Sequence, residues 1–368
     1  MSEVTRSHTL SLGLVGLPNS GKSTLFNALT KQSVPVENYP FCTIDKNIGV
    51  VQIPDERLEK LANLLHSERV VPSVMTFVDI AGLLKGASKG EGLGNQFLGH
   101  IREVDVVIYV LRAFNSEEVV HVYNRVDPID DFEILEAELI LKDLESMEKK
   151  HHNLFKSTRV NSDSNLLKEL ELAEKIILWL KQGKPVIEME IDRKSREIVN
   201  GYQLLTNKRR MLLLNCKEGQ EEEKVIRWIE QLKEIIGNEG CVLQADLKLL
   251  SEIEGKQEYQ RVQEKQISSV ESIIIGAYRL LELITFYTGN QQECNAWSIQ
   301  RGADIKSAAS VIHSDLGKYF ISADVVNVEK LISNGGWVSV KEKGLVRNHG
   351  KEYIVEDGDY IIVLANTR

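Results

Sequence analysis

The segment "LSLGLVGLPNSGKSTLFNALT", residues 10–30, decides the fold class of this 368-residue chain. It has the pattern of an apolar strand, a glycine-rich turn and a helix, and the turn from Gly16 to Ser23 fits G-x-x-x-x-G-K-S. Glycines let the backbone curl so that consecutive N–H groups face a phosphate, and the following helix adds its positive N-terminus. The segment therefore predicts an α/β domain that binds a nucleoside triphosphate.

The chemistry of this loop assigns roles to its polar residues. Lys22 is expected to reach the β- and γ-phosphates and to act in catalysis, and the Ser23 hydroxyl is expected to ligate Mg²⁺. Asn19 has two interpretations: it holds K⁺ against the phosphates, or it only shapes the loop. The predicted nucleotide-binding residues of the loop are Asn19, Ser20, Gly21, Lys22, Ser23 and Thr24.

A second motif follows about 60 residues downstream, where the apolar run "SVMTFVDI" ends in Asp79-x-x-Gly82. An aspartate at this place holds Mg²⁺ through water, and the glycine N–H meets the γ-phosphate. The glycine-rich segment 86–94 is interpreted as a switch that orders on the γ-phosphate, with an ordinary surface loop as the alternative. Thr43, in "ENYPFCTIDKN", is a candidate metal ligand in the triphosphate state.

Composition narrows the class of protein. The net charge of −9 argues against indiscriminate binding to nucleic acid or to anionic membranes, although a local basic patch stays compatible with it. Four cysteines lie far apart and form no C-x-x-C, which predicts neither a zinc site nor a disulfide scaffold. The N-terminus has no signal-peptide core, and no apolar run is long enough for a membrane span. We therefore expect a cytoplasmic protein with no membrane partner and no DNA partner.

Two amphipathic helices are predicted in the middle of the chain. The polar stretch 156–165 separates them, and Gly183 is a plausible stop for the second. Together they predict an antiparallel coiled-coil arm whose tip, near "EKKHH", is solvated; ordinary core helices are the alternative. The residues expected on the apolar faces are Ile134, Ala137, Leu141 and Leu144 in the first helix, and Leu166, Leu170, Ala173, Ile177 and Leu180 in the second.

Several of these motifs resemble the YchF family, the Obg-like ATPases. The resemblance rests on "GLPNSGKSTLFNALT", "NYPFCTI", "DIAGLLKGASKGEGLGNQFL" and "VDP" at residues 126–128. The segments "AWSIQRGADIKSAASVIHSDLGKYFISADVV" and "GKEYIVEDGDY" resemble the TGS domain that ends this family. The resemblance implies ATP hydrolysis and association with ribosomes.

It also implies a domain plan. The expected fold is a Ras-like P-loop domain in two parts, residues 1–130 and 208–282, with a helical coiled-coil insertion at 131–207. A ubiquitin-like β-grasp TGS domain is expected at 283–368. The short β-runs and turns that begin near Leu283 agree with this plan.

The loop after the strand "RMLLLN" is expected to read the base. Ras-like GTPases carry Asn-Lys-x-Asp here, and the aspartate accepts two hydrogen bonds from guanine. This chain has Asn215, Cys216 and Glu218, which match the N-x-x-E of the resembled family. The longer glutamate does not fit guanine in the same way, whereas the Asn215 amide and the backbone around Cys216 can serve adenine. The alternative is that Asn215 only caps its own loop.

Two positions bear on the rate of hydrolysis. Leu83 stands where Ras-like GTPases carry a glutamine that orients the attacking water. The resembled family shares this loss of the glutamine. Tyr109, in "VVIYVLRAF", stands where that family usually has a histidine. The tyrosine either orients water poorly or packs in the core with its hydroxyl bonded elsewhere. A third departure is Gln244-Ala245-Asp246, in place of the family's Ser-Ala-Lys-type segment.

The motifs and the resemblance together predict a monomeric, Mg²⁺-dependent ATPase with slow intrinsic turnover and only a weak preference for GTP. Its expected partner is the ribosome, including ribosomal RNA and proteins, and its expected role is regulation of translation or of the stress response. One alternative is a GTPase. Another is a nucleotide-sensing, ribosome-binding module with negligible hydrolysis.

Overall fold

The computed structural model describes residues 11–31, 48–80, 99, 101–115, 125–160, 163–217, 221–237, 240–252 and 269–366. Several predicted features lie outside them: the glycine-rich segment 86–94 and the site residues Thr43, Gly82, Leu83 and Glu218.

The described strands form two six-stranded sheets, of order β2-β4-β1-β5-β6-β7 and β11-β10-β12-β8-β9-β3. In the first sheet β2 is antiparallel to β4 and the other pairs are parallel. The strands are β1 (Ser11–Val15), β2 (Ile48–Gln52), β3 (Arg69–Val71), β4 (Val74–Val78), β5 (Val106–Arg112), β6 (Arg209–Asn215), β7 (Gly240–Ala245), β8 (Leu283–Gly289), β9 (Glu293–Gln300), β10 (Phe320–Asn327), β11 (Arg347–His349) and β12 (Asp359–Ala365).

Helices pack on both sheets, and the middle of the chain, between β5 and β6, is helical. They are α1 (Lys22–Lys31), α2 (Glu56–Leu65), α3 (Pro128–Val160), α4 (Ser164–Leu180), α5 (Arg193–Gly201), α6 (Glu222–Ile236), α7 (Leu247–Glu252), α8 (Val270–Leu280), α9 (Ile305–Ile312), α10 (Ser314–Lys318), α11 (Val328–Ser333) and α12 (Trp337–Glu342). Short 3₁₀ turns lie at Val186–Glu188 and Leu205–Asn207. Within the ranges given above, no helix is long and apolar enough to cross a membrane.

The first sheet is apolar along its central strands because helices cover both of its faces. One set of strand residues packs with α1 and α8, and the alternate set packs with α3 and α6. The first set includes Leu12, Leu14, Ile108 and Val110; the second includes Val107, Leu111, Leu212 and Leu214. This arrangement confirms the predicted α/β fold. The phosphate loop follows the C-terminal end of β1, a central strand of the sheet.

Helices α3 and α4 run antiparallel, as predicted. Helix α3 ends at Val160 and α4 begins at Ser164, so two packed helices joined by so short a connection must run in opposite directions. Three ion pairs join them: Glu148–Lys181, Lys150–Glu169 and His151–Glu174. Helix α3 begins at Pro128, a residue suited to the first helical position. Helix α4 ends at Leu180, and Gly183 lies just beyond it with φ +73°.

The predicted apolar face of α3 is partly wrong. Leu141 is 59% exposed, and Ala137 is exposed as well. The reason is that α3 serves two cores in succession. Phe132, Leu135 and Leu139 pack on the first sheet, and farther along the helix other residues pack on α4, so that no single stripe runs its whole length. The predicted face of α4 is confirmed at Ala173 and Leu180, which are buried.

The second sheet takes a piece from the first third of the chain. Strand β3 pairs in parallel with β9, and helix α2 packs its buried residues against one face of the sheet. The face residues that meet Leu58, Leu61 and Ala62 include Tyr287 and Tyr360. Segment 56–71 therefore belongs structurally with the C-terminal sheet, although the expected domain plan counts it with residues 1–130.

Candidate nucleotide-binding site

The phosphate loop fits its sequence pattern through backbone geometry. A Cβ at Gly16 would lie 2.5 Å from the Val110 carbonyl oxygen, so only glycine fits there. Gly21 has φ +109° and Asn19 has φ +63°. Glycine adopts such angles freely, and asparagine is one of the few other residues that tolerate the left-handed region. The conformation of Asn19 thus supports its loop-shaping interpretation.

Lys22 lies inside the loop that it is expected to serve. Its side chain is largely buried, and its Nζ donates to the carbonyl oxygens of Gly16, at 2.9 Å, and Leu17, at 2.8 Å. Burial lowers the pKa of Lys22 to about 8, while the nearby Asp79 carboxylate acts in the opposite direction. The ammonium is therefore charged at neutral pH although burial lowers its pKa, and phosphate oxygens beside it would raise the pKa again.

The loop also contains a buried polar atom without a protein partner. Ser20 is 2% exposed, and within the described ranges its Oγ forms no hydrogen bond. A buried hydroxyl is costly to leave unpaired, which makes this atom suited to a ligand oxygen. Ser20, Gly21 and Thr24 thus lie together in the loop and at the start of α1, as the sequence predicted.

The predicted metal ligands present a donor set that fits Mg²⁺. Ser23 is exposed on the first turn of α1, and Asp79, 5% exposed, directly follows β4, the neighbour of β1. Among the described residues no group of three or more His, Cys, Asp or Glu could hold a metal. Mg²⁺ in phosphate sites needs no such group, since it uses one or two protein oxygens, water and the phosphates themselves.

Asn215, at the end of β6, connects the phosphate loop to the start of α7. Its Nδ2 donates to the Ser20 carbonyl oxygen at 2.9 Å, and its Oδ1 accepts from the Leu247 N–H at 3.3 Å. A Cβ at Gly21 would lie 2.4 Å from this Nδ2, so the loop approaches the amide closely. Asn215 therefore positions the loop, a role that neither sequence interpretation anticipated. A primary amide retains further hydrogen-bonding capacity at each end, which is what a purine contact would use.

Cys216 and Asp246 lie side by side at the ends of β6 and β7. The Cys216 N–H donates to the Ala245 carbonyl oxygen at 2.8 Å, and burial, aided by Asp246, raises the pKa of the thiol to about 12. The thiol is therefore protonated and unreactive at neutral pH. Asp246, 9% exposed, accepts from the Leu249 N–H and begins α7. The segment that follows Gln244-Ala245-Asp246 is thus a short helix from Leu247 onward.

Tyr109 has a buried partner. It is 2% exposed, its hydroxyl donates to Glu136 Oε2 at 2.7 Å, and its ring meets Phe132 edge-on at 5.1 Å. Burial, with the Glu136 charge, raises its pKa well above 10. The residue lies on the α3 side of the sheet, opposite α1. This is the core-packed interpretation. In this arrangement the hydroxyl is not available to orient water, and its catalytic role stays a prediction.

Glu136 belongs to an ionic cluster that sequence reasoning missed. Arg210 on β6 is 2% exposed and donates to Glu136 Oε1 at 2.8 Å and to Glu188 Oε1 at 2.7 Å. A buried arginine inside an apolar strand needs charged partners, so Arg210 in "RRMLLLN" was the available signal. The cluster joins the sheet to α3 and to the 3₁₀ turn at Val186–Glu188.

The strand order, the glycine-dependent phosphate loop and the Lys22–Ser23–Asp79 set define a P-loop nucleoside triphosphatase. Comparison with protein families agrees. Residues 11–153 match the family described as 50S ribosome-binding GTPase, and residues 283–366 match the YchF-GTPase C-terminal family, described as a protein of unknown function (DUF933).

Similarity extends over nearly the whole chain. The chain is 41% identical to the ribosome-binding ATPase YchF of Bacillus subtilis over 96% of its length and 98% of the relative's. It is 39% identical to Obg-like ATPase 1 of Oryza sativa, covering 98% and 93% of the two chains. The structure of the Schizosaccharomyces pombe YchF GTPase superposes with a TM-score of 0.84 at 33% identity, covering 97% and 98%. The chain belongs to the YchF family, as its motifs predicted.

Proposed function

We propose that the protein is a Mg²⁺-dependent ATPase that acts at the ribosome. The observation that carries the proposal is a complete phosphate loop, with Lys22 seated in it, in a chain that is 41% identical to a ribosome-binding ATPase over 96% of its length. The proposed output is regulation of translation or of the stress response. The proposed state is a cytoplasmic monomer. Its proposed domains are a P-loop domain (1–130 and 208–282), a helical insertion (131–207) and a TGS domain (283–368), with segment 56–71 packed on the C-terminal sheet.

The proposed mechanism starts from the geometry of Lys22. When ATP binds, the ammonium exchanges the Gly16 and Leu17 carbonyls for phosphate oxygens, and loop N–H groups bind the β-phosphate. Ser23 and Asp79 would hold Mg²⁺, with Thr43 joining in the triphosphate state and the Gly82 N–H meeting the γ-phosphate. The metal would neutralise charge on the phosphates. Leu83 has no hydrogen-bonding group for the attacking water, which accounts for the proposed slow intrinsic turnover.

Base choice is the part of the proposal that separates an ATPase from a GTPase. Glu218 and the backbone around Cys216 are the proposed adenine contacts, with Asn215 positioning the loop beneath them. A GTPase is the second candidate, and two findings favour it: the family matched by residues 11–153 and the solved relative are both described as GTPases. A nucleotide-sensing module with negligible hydrolysis is the third.

The deciding experiment is calorimetric titration of the whole protein with non-hydrolysable ATP and GTP analogues, in the presence of Mg²⁺. We expect ATP to bind at least several-fold more tightly, because each buried polar group left unpaired by the wrong purine costs about 1–3 kcal/mol. Glu218→Asp should narrow the difference. Equal affinities in the wild type would refute the adenine assignment. Tight binding without measurable hydrolysis, with or without ribosomes, would favour the sensing module.

A further inference from the structure

The last third of α3 carries a column of flat side chains on one face. His151, Phe155 and Arg159 are spaced four residues apart and therefore lie one above another along the helix. The His151 and Phe155 rings are stacked, 6.4 Å apart and 15° from parallel, and the Arg159 guanidinium lies 4.5 Å from the Phe155 ring centre. Phe155 is 42% exposed, so this platform faces solvent.

A stripe of basic side chains borders this column. Lys149, His152, Lys156 and Arg159 follow one another at spacings of three and four residues, which places them on one side of α3. All four are exposed, and none of them has an ion-pair partner within the described ranges. Arg159 belongs to both the column and the stripe, so the two features form one continuous surface, here called the tip surface.

The charge of the tip surface contrasts with that of the whole chain. Residues 149–159 contain three lysines, one arginine and two histidines but no aspartate or glutamate, in a protein of net charge −9. Two residues of this segment have acidic partners on α4: Glu169 pairs with Lys150, and Glu174 pairs with His151, the first residue of the column. Lys149, Lys156 and Arg159 are exposed and pair with none of the described acidic residues.

We propose that the tip surface binds RNA at a site with unpaired bases. Flat aromatic and guanidinium groups are platforms on which an extruded base stacks, and adjacent lysines neutralise the flanking phosphates. An acidic protein segment would use the cations but has no need of an exposed His–Phe–Arg column. The inference rests on the proposed ribosome association and names the ribosomal component, RNA, that this part of the chain contacts.

The test compares two kinds of target, intact ribosomes and a labelled RNA hairpin with a purine-rich loop. Lys149→Glu/Lys156→Glu removes the phosphate contacts, and Phe155→Ala removes the platform. Phe155→Trp keeps a flat ring and should keep binding. The matched control is Lys175→Glu/Lys194→Glu, two exposed lysines of the same helical region with the same change in charge.

We expect both tip variants to weaken hairpin binding and ribosome binding by about tenfold or more. The control and Phe155→Trp should stay within about twofold of the wild type. The double charge variant should also show a shallower dependence of affinity on salt. Basal ATP hydrolysis and thermal unfolding should match the wild type in every variant, because every substituted residue is exposed and none belongs to the nucleotide site.

Two results would overturn the inference. One is tip variants that bind the hairpin and the ribosome like the control. The other is loss of ribosome binding by tip variants when the wild type does not bind the hairpin, which would assign the surface to a ribosomal protein. A wild type that binds the hairpin through the tip but never binds ribosomes would support the RNA site and refute the proposed ribosome association.

Discussion

The Tyr109 hydroxyl donates a 2.7 Å hydrogen bond to Glu136, a carboxylate that Arg210 also binds at 2.8 Å. This contact ties the centre of the nucleotide-binding sheet to the first turns of α3. It also means that a tyrosine at this position has a structural task. Substitutions here therefore separate a role in the core from a role in hydrolysis.

Tyr109→His tests the catalytic interpretation of this position against the core-packed one. If the side chain reaches the attacking water, single-turnover ATP hydrolysis should rise while ATP affinity stays nearly unchanged, because an imidazole is a better general base near pH 7 than a phenol. The core-packed arrangement predicts no gain in rate. Tyr109→Phe is the control, since it removes only the hydroxyl. It should lower the free energy of unfolding by about 1–3 kcal/mol, by leaving Glu136 less fully paired, and should not speed hydrolysis. If Tyr109→His is no faster than the wild type, position 109 does not limit the reaction.

Lys22 predicts a particular pH dependence of ATP binding. Because its pKa in the free protein is lowered to about 8, the ammonium is charged below that pH and binding changes little. Above pH 8 the neutral amine must take up a proton as the phosphates bind, so affinity should fall by up to about tenfold per pH unit. Calorimetry at pH 9 in buffers of different ionisation enthalpy measures this uptake directly.

Lys22→Arg provides the comparison, since a guanidinium stays charged throughout this range. If it binds ATP, its affinity should be nearly independent of pH. The lowered pKa of Lys22 also affects how the stability of the protein depends on pH. Between about pH 8 and the ordinary lysine value the unfolded chain binds more protons, so this lysine makes the nucleotide-free protein more stable as pH rises. In the wild type, proton uptake near zero when ATP binds at pH 9 would contradict the lowered pKa of Lys22.

Asn215→Ala should weaken ATP and GTP binding by similar factors. The substitution removes the contacts to the Ser20 carbonyl and the Leu247 N–H, which position the loop for phosphates common to both nucleotides. Two lost hydrogen bonds of about 1 kcal/mol each correspond to a loss of roughly tenfold to thirtyfold. A changed ratio of ATP to GTP affinity would show instead that Asn215 reads the base.

Replacement of K⁺ by Na⁺ tests the two interpretations of Asn19. Its φ of +63° already gives it a task in shaping the loop. On that interpretation turnover is the same in both salts. Turnover that drops in Na⁺ and recovers in K⁺, with Asn19→Gly failing to respond to either ion, would establish a monovalent cation in the site.

The phosphate loop, Asp79 at a strand end and the antiparallel arm could be predicted because each is a local pattern with one physical solution. The task of Asn215 could not, since it depends on how closely Gly21 approaches β6 in space. The exposed side of α3 was misjudged at Leu141 for a similar reason. Periodicity shows that a helix has an apolar face, but not that one helix passes from one core to another.

Tyr109 illustrates a different limit. Its position in an apolar strand predicted burial. Whether the hydroxyl orients water or bonds within the core depended on Glu136, 27 residues away on α3. The pairing of β3 with β9 was similarly hidden, because strand partners so distant in sequence leave no local signature.

That pairing bears on how the protein can be dissected. A fragment limited to residues 283–368 would lack Leu58, Leu61 and Ala62, which cover one face of its sheet, and would leave the β9 edge open. Open, apolar sheet edges invite edge-to-edge association between copies. Such a fragment would report on its own self-association as readily as on ribosomes. A fragment that begins at residue 283 is therefore unsuitable for mapping interactions. Point substitutions within the whole chain keep β3 paired with β9.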